Sequence, residues 1–338
     1  MRCRRSANGL TLFSARAQPA LHSTLPATPM NSRRDFLKHS LALGAAVALT
    51  PWRRLAAAEG AIPTPATPAA RPILVAVRDG SRTAMLDAAL AVFGGIGAFV
   101  RAGQTVLIKP NIGWDASPER GANTHPELVA HLTTLCLGAG AKSVSIFDNT
   151  CDPWEQTYEH SGIAAAAKAA GARIVNGKDP SLYREVDIPG VRLKRAQVHS
   201  LVLDSDVFFN LPVLKHHSGT LITAAMKNLM GVIWDRRDYH MHDLHQSIAD
   251  FLTLRKPTLN IVDAYHPLVR NGPRGRTTDD VVEMRTLLVS PDPVAVDAAG
   301  AKMLGHDPAR IAHIRIGAEM KLGVMDLEQV DIRRIKLG

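Results

Sequence analysis

Cysteine is scarce in this 338-residue chain, which holds three, and only Cys136 and Cys151 lie beyond the N-terminal leader. No Cys-x-x-Cys pair occurs, which argues against an iron–sulfur cluster of the chain's own and against a thiolate zinc site. A bridge between Cys136 and Cys151 and two unlinked thiols both stay open, with Cys136 reading as part of a buried helix face. The dinucleotide-binding fingerprint is missing too, because it needs a strand, then glycines, then a helix. Gly94-Gly95-Ile96-Gly97 and Gly138-Ala139-Gly140-Ala141 instead follow helical patterns and precede strand patterns, so they read as helix terminators. There is no convincing internal repeat.

Acidic residues are nearly absent from the first 58 positions, where nine Lys or Arg stand against Asp35 alone. That leaves 31 basic and 30 acidic residues from Glu59 onward, so the formal charge of +9 belongs to the leader. The rest of the chain has no overall field with which to seek nucleic acid. Its composition, 46% apolar and 21% charged, describes a globular protein rather than a disordered or fibrous one.

Within the leader, Ser32-Arg33-Arg34-Asp35-Phe36-Leu37-Lys38 precedes the apolar run Ser40 to Thr50 and then Ala56-Ala57-Ala58. A basic region, an apolar region and a small-residue cleavage site come in signal-peptide order, and the run is too short to span a bilayer as a helix. A short membrane anchor or an N-terminal core helix is the alternative reading. The paired arginines followed by Phe-Leu-Lys resemble a twin-arginine signal, which implies handling by the twin-arginine translocase, export after folding, and a periplasmic or secreted location. Met30 lies two residues before the motif and is a candidate true start. The expected organisation is a leader over 1–58, a Pro/Ala/Thr linker over 59–70 and a single α/β domain over 71–338.

Short β-branched runs at 73–77, 105–109, 143–148, 206–210, 259–263 and 285–289 read as strands, and 82–99, 126–137, 162–170, 243–254 and 293–304 read as helices. This alternation predicts an α/β fold, a mostly parallel β-sheet with helices on both faces. Several strands end in polar residues: Lys109-Pro110-Asn111, Asp148-Asn149, Asn210-Leu211-Pro212 and Asp263-Ala264. Ligands in such sheets bind outside the carboxyl ends of the strands, so a site is expected there; turn formation is the plainer explanation for any one tip.

The densest polar stretch, Asn210 to Thr220, carries Lys215, His216 and His217 and is followed by Lys227-Asn228 in a small-residue segment. Lysines there suit a phosphate or carboxylate, while histidines suit proton transfer or metal. A second cluster, Asp238-Tyr239-His240-Met241-His242-Asp243-Leu244-His245, offers imidazole metal ligands with Asp238 or Asp243 in support. It reads equally as a wet helix start capped by Asp243. The expected assignment makes His216, His217, Asp148 and Asp263 catalytic or orienting. Lys109, Asn111, Asn210, Lys215, Lys227 and Asn228 then bind substrate or cofactor, and His240, His242 and His245 hold metal. Near Ser290 to Asp297 the pattern is a helix start, with Asp297 either facing the site or lying in a capped first turn.

Lys109-Pro110-Asn111-Ile112, Thr124-His125-Pro126-Glu127, Asn210-Leu211-Pro212, Lys215-His216-His217, Lys227-Asn228-Leu229-Met230-Gly231, Ile261-Val262-Asp263-Ala264, Gly272-Pro273 and Asp292 to Asp297 together resemble the domain-of-unknown-function family numbered 362. The resemblance runs in order from about 73 to 305. Many relatives carry an attached cluster-binding segment, so it implies redox or cofactor company, including a redox partner protein; this chain lacks the cysteines. A fainter likeness, in His217, Lys227 and His242, is to the lactate racemase family and implies a metal–nucleotide cofactor. The glycine pair expected before that lysine is Ala224-Ala225 here. These readings converge on an exported enzyme using a divalent metal or metal–nucleotide cofactor on a small anionic substrate, with a non-catalytic metal- or anion-binding protein as the alternative.

Overall fold

The computed structural model describes residues 71–338; the leader with its paired arginines, Met30 and the linker lie outside the described residues. Strand β1 (Ile73–Arg78) leads into helix α1 (Arg82–Val92), and β2 (Thr105–Pro110) leads into α2 (Pro126–Gly138). After β3 (Ser143–Ile146) come α3 (Trp154–His160), α4 (Ile163–Ala169) and the short β4 (Arg173–Ile174). A separate hairpin, β5 (Tyr183–Asp187) with β6 (Arg195–His199), precedes α5 (Ser200–Asp204). The central segment is β7 (Val207–Leu211), β8 (Val213–His217), β9 (Leu221–Thr223) and three short helices, α6 (Ala225–Asn228), α7 (Arg237–Met241) and α8 (Leu244–Phe251). Strands β10 (Leu259–Leu268) and β11 (Thr286–Ser290), helices α9 (Pro293–Met303) and α10 (Ala312–Glu319), and β12 (Asp331–Lys336) complete the chain.

The main sheet runs in the order β12-β1-β11-β10-β7-β2-β3-β4, with β8 and β9 appended to β10. It is mostly parallel; β11 runs against both of its neighbours, β1 and β10, and β9 runs against β8. Successive side chains on a strand face opposite ways, and the apolar runs feed two cores. On β2, Val106 and Ile108 pack with Met85 and Leu86 of α1 and Leu128 and Leu132 of α2. Leu107 joins Phe208 and Val262 in the other core, closed by α8, α9 and α10. Burial on both faces is why these strands read as continuous apolar runs.

Two sequence expectations are corrected. The helical pattern over 82–99 stops at Val92, because Gly94 and Gly95 take positive φ of 93° and 84° and only a single tight turn, Ile96–Ala98, follows. The span 243–254 is helical only from Leu244, since Asp243 itself takes φ of 83° and caps the helix with its carboxylate. Cys136 is buried, Cys151 is exposed, and both are free thiols.

Asp292 is the cap of α9, accepting from the amides of Val294 and Ala295. Asp297, one turn further on, is fully buried and reaches across the core to accept from the amides of Ala225 at 2.6 Å and Met226 at 3.0 Å. It thereby fixes α6, the helix that carries Lys227 and Asn228. Burial pushes its carboxyl up to about 7, against the pull of those two amides. Replacing Asp297 with Ala orphans both amides, and a loss of about 3 kcal/mol is expected, read as a lowered urea midpoint with unchanged slope.

Candidate functional site

Parallel strands deliver their carboxyl ends to one edge of the sheet, and there β2, β3, β8 and α6 surround a pocket of about 250 Å³. Its wall includes Lys109, Lys215, Lys227 and Arg236 against a single carboxylate, Asp148. Lys109 Nζ, completely buried, lies 2.9 Å from Asp148 Oδ1 and donates to Asn228 Oδ1 at 2.8 Å. The other oxygen of Asp148 accepts from the Ile112 amide at 2.7 Å. Gly231 packs directly over this pair; a Cβ there would stand 1.9 Å from Asp148 Oδ1 and 2.8 Å from Lys109 Nζ.

Behind the pocket runs a directional chain of side-chain amides. Lys215 Nζ donates to Asn111 Oδ1 at 2.8 Å, and Asn111 Nδ2 donates to Asn228 Oδ1 at 2.9 Å. Asn228 Nδ2 then donates to Asn210 Oδ1 at 2.8 Å, and Asn210 Nδ2 to Asn260 Oδ1 at 2.9 Å. Asn260 ends the chain on the Ser290 carbonyl at 3.2 Å. Each amide spends its donor on the next acceptor, which fixes every orientation and ties β8, β2, α6, β7, β10 and β11 together at the level of the pocket floor.

Lys227 stands apart from this order. Its hydrogen-bond partner among the described residues is the thioether of Met230 at 3.2 Å, a weak acceptor. Arg236 donates to the Thr150 carbonyl at 2.6 Å and to Cys151 Sγ at 3.1 Å, with no carboxylate. Burial lowers the ammonium of Lys215 to about 7, with neighbouring Lys227 adding to the effect, and burial lowers that of Lys227 to about 8. Burial pulls Lys109 below its usual range as well, opposed by Asp148. Burial first, and then the positive neighbours Lys227 and Lys215, hold the His217 imidazole down at about 3, so it is neutral near pH 7. His217 Nδ1 accepts from the Gly219 amide at 3.0 Å, which places the proton of the neutral ring on Nε2 and makes that atom a donor.

Of the residues singled out by sequence, the pocket brings together Lys109, Asn111, Asp148, Lys215, His217, Lys227, Asn228 and His240. Asn210 lies one layer behind, in the amide chain. His216 turns away and accepts from the Gly272 amide at 3.1 Å, so it props the loop that brings Pro273 to the pocket. Asp263 is outside, pinned by the amides of His125 and Tyr265 and by Arg82 Nε at 3.5 Å. The expected histidine metal set does not form. The chain breaks at Asp243 between α7 and α8, which scatters the rings: His240 lines the pocket, His242 Nδ1 bonds the Asp238 carbonyl at 2.8 Å, and His245 stacks on buried His313. Among the described residues no three His, Cys, Asp or Glu side chains come together as metal ligands. Sequence reasoning missed Asn260 and Arg236, and it weighed Asp297 as facing the site or lying in a capped first turn without placing it on the amides of α6. Only Asn260 left a sign, a polar residue inside an otherwise apolar strand.

A basic pocket lies at the strand tips of an α/β sheet, and the comparisons place the chain in a family. Residues 106–302 match the family described as domain of unknown function DUF362, and the chain belongs to it. Residues 30–50 match the twin-arginine translocation signal sequence, which implies export across a membrane. A thylakoid-associated protein of Synechocystis sp. is 28% identical over 253 residues, covering 72% of this chain and 76% of that protein. The lactate racemase apoprotein of Thermoanaerobacterium thermosaccharolyticum aligns in structure at a TM-score of 0.40 with 10% identity, over 74% of this chain and 56% of that one. A protein of Thermotoga maritima gives 0.42 and 10%, over 70% and 59%. The chain thus spans little more than half the length of either solved structure. Among the described residues no helix is long and apolar enough to cross a membrane.

Gly231→Ala drives a methyl into the Lys109–Asp148 pair, and breaking a buried pair is costly. We expect a destabilisation on the order of 3 kcal/mol by thermal or urea melting, while Gly219→Ala, whose Cβ would meet nothing closer than 3.5 Å, stays within about 0.5 kcal/mol of the parent.

Proposed function

We propose that this is a periplasmic protein whose pocket holds a small anion, a short carboxylate, and moves a proton on and off the carbon beside it. The observation that carries the reading is the partner set of Lys215. Its Nζ has two acceptors among the described residues, Asn111 Oδ1 and the Ala122 carbonyl. A neutral amine has two N–H donors and one lone pair, so both donors are satisfied and the lone pair remains for the pocket. An ammonium that titrates near 7 supplies that neutral amine at working pH, which is what a general base requires.

The remaining residues divide the other tasks. Lys227, short of an oxygen partner, anchors the carboxylate with Arg236 beside it. Lys215 takes the proton from carbon and becomes an ammonium, His217 Nε2–H steadies the charge that develops on oxygen, and return of the proton from Lys215 restores the amine. A phosphate-bearing cofactor would find the same donors, and the described residues show no imidazole set to hold a metal beside it.

Incubation in deuterated water with two- to four-carbon 2-hydroxy carboxylates tests the reading by loss of the signal of the C–H beside the carboxylate. Exchange is expected to rise as pH climbs through about 7, when Lys215 loses its proton, and to fall beyond about 8, when Lys227 loses the charge that binds the anion. Lys215→Met should stop exchange while the ligand still raises the melting temperature; Lys227→Met should remove the melting shift. Exchange that persists in Lys215→Met overturns the base assignment. A melting shift with no exchange for any carboxylate leaves a binding protein that captures its anion unchanged.

A further inference from the structure

At the opposite edge of the sheet lies a second cavity that the anion site does not use. It has a volume of about 610 Å³ and a largely apolar floor. Helix α9 packs over β10 and β11, and α1 covers the other face of β1, so the first face of β1 and the edge strand β12 lie beside α9 rather than beneath it. Ala299, Lys302 and Met303, three and four residues apart, turn the flank of α9 towards this face, on which Leu74 and Leu288 are buried and Ala76 and Ile332 half-buried.

Strand register orders the chemistry of the floor. Leu74 stands beside Ile332; next come Ala76, Leu288 and Arg334 abreast; last come Arg78, Thr286 and Lys336. Alternate residues share a face, so these rows line one groove that is apolar at the Leu74 end and cationic at the Arg78 end. Four residue steps separate the ends, roughly 13 Å at strand rise. Arg78 has an exposed partner in Asp79 at 3.6 Å. The one acid on β12, Asp331, is held by Arg333 on the opposite face. Asp307, Asp326 and Glu328 share a separate depression with Lys302, and none of them lines the groove. Apolar length closed at one end by three cations, Arg78, Arg334 and Lys336, beside one exposed acid, Asp79, is the complement of a single-chain amphiphile.

We propose that this groove binds a long-chain carboxylate, its chain along Leu74, Ile332 and Leu288 beside Met303, and its head on Arg334 and Lys336 with Arg78. The volume falls in the range of small-molecule sites. The site is independent of the anion pocket, which is formed at the other side of the sheet by β2, β3 and β8.

The test is calorimetric titration of the exported, processed protein with dodecanoate below its micellar concentration, alongside dodecanol, acetate and anionic phosphatidylglycerol vesicles. Dodecanoate is expected to bind, with dodecanol and acetate each weaker by about tenfold or more. Arg334→Glu with Lys336→Glu, both exposed positions, should weaken dodecanoate at least about tenfold without lowering the melting temperature. Ala76→Trp, which fills the floor, should abolish binding, and Lys227→Met should leave it unchanged. Absence of dodecanoate binding, equal binding of dodecanol, or indifference to both groove variants overturns the proposal. Binding to vesicles with dodecanoate silent also overturns it and assigns this edge to a bilayer surface.

Discussion

Burying positive charge without matching negative charge is the constraint on which this molecule's pocket is built. Lys109, Lys215, Lys227 and Arg236 line the pocket with one carboxylate, Asp148, and burial makes Lys215 and Lys227 give up their protons more readily. A folded protein has cheaper ways to line a cavity, since an unpartnered ammonium in a desolvated wall opposes folding. In the proposed reading an anion completes the arrangement beside Lys227, whose hydrogen-bond partner among the described residues is a thioether.

Much of the surrounding structure holds those charges still. Asp148 is gripped by Lys109 and the Ile112 amide, and the Tyr158 hydroxyl clips its backbone. The chain from Lys215 through four side-chain amides to the Ser290 carbonyl runs through six elements, so α6 cannot move without disturbing β7 and β10. From the far side, Asp297 on α9 seizes the first amides of the same helix. A four-residue helix has almost no stability of its own, and here it is pinned at both ends by buried polar groups. Fixing Lys227 and Asn228 in this way removes the ordering that a ligand would otherwise have to impose.

The strands and most helices of the sheet were legible because burial on both faces leaves continuous β-branched runs between amphipathic segments. Lys109, Asp148 and Lys215 could be named because they follow such runs at strand tips. What did not show was anything decided by tertiary contact. The hairpin β5–β6 and the edge strand β12 are half-exposed and polar, with no run to announce them. Histidine density at 240–245 pointed to metal, yet one capping carboxylate at Asp243 breaks the helix and sends the rings apart. Asp263 reads in the sequence as a strand tip like Asp148, but β10 runs on to Leu268, and Arg82 and two backbone amides claim the carboxylate. Pattern identifies candidates, and hydrogen-bond partners decide among them.

Selective labelling of the lysine side chains, followed by a nuclear magnetic resonance titration of their ε-carbons, reaches the charge constraint most directly. The account predicts midpoints near 7 for Lys215 and near 8 for Lys227 in the ligand-free protein, with Lys227 moving upward when a short carboxylate is added. If both instead titrate at the ordinary lysine value of 10.5 and ignore the carboxylate, the pocket carries no uncompensated charge and is not an anion site.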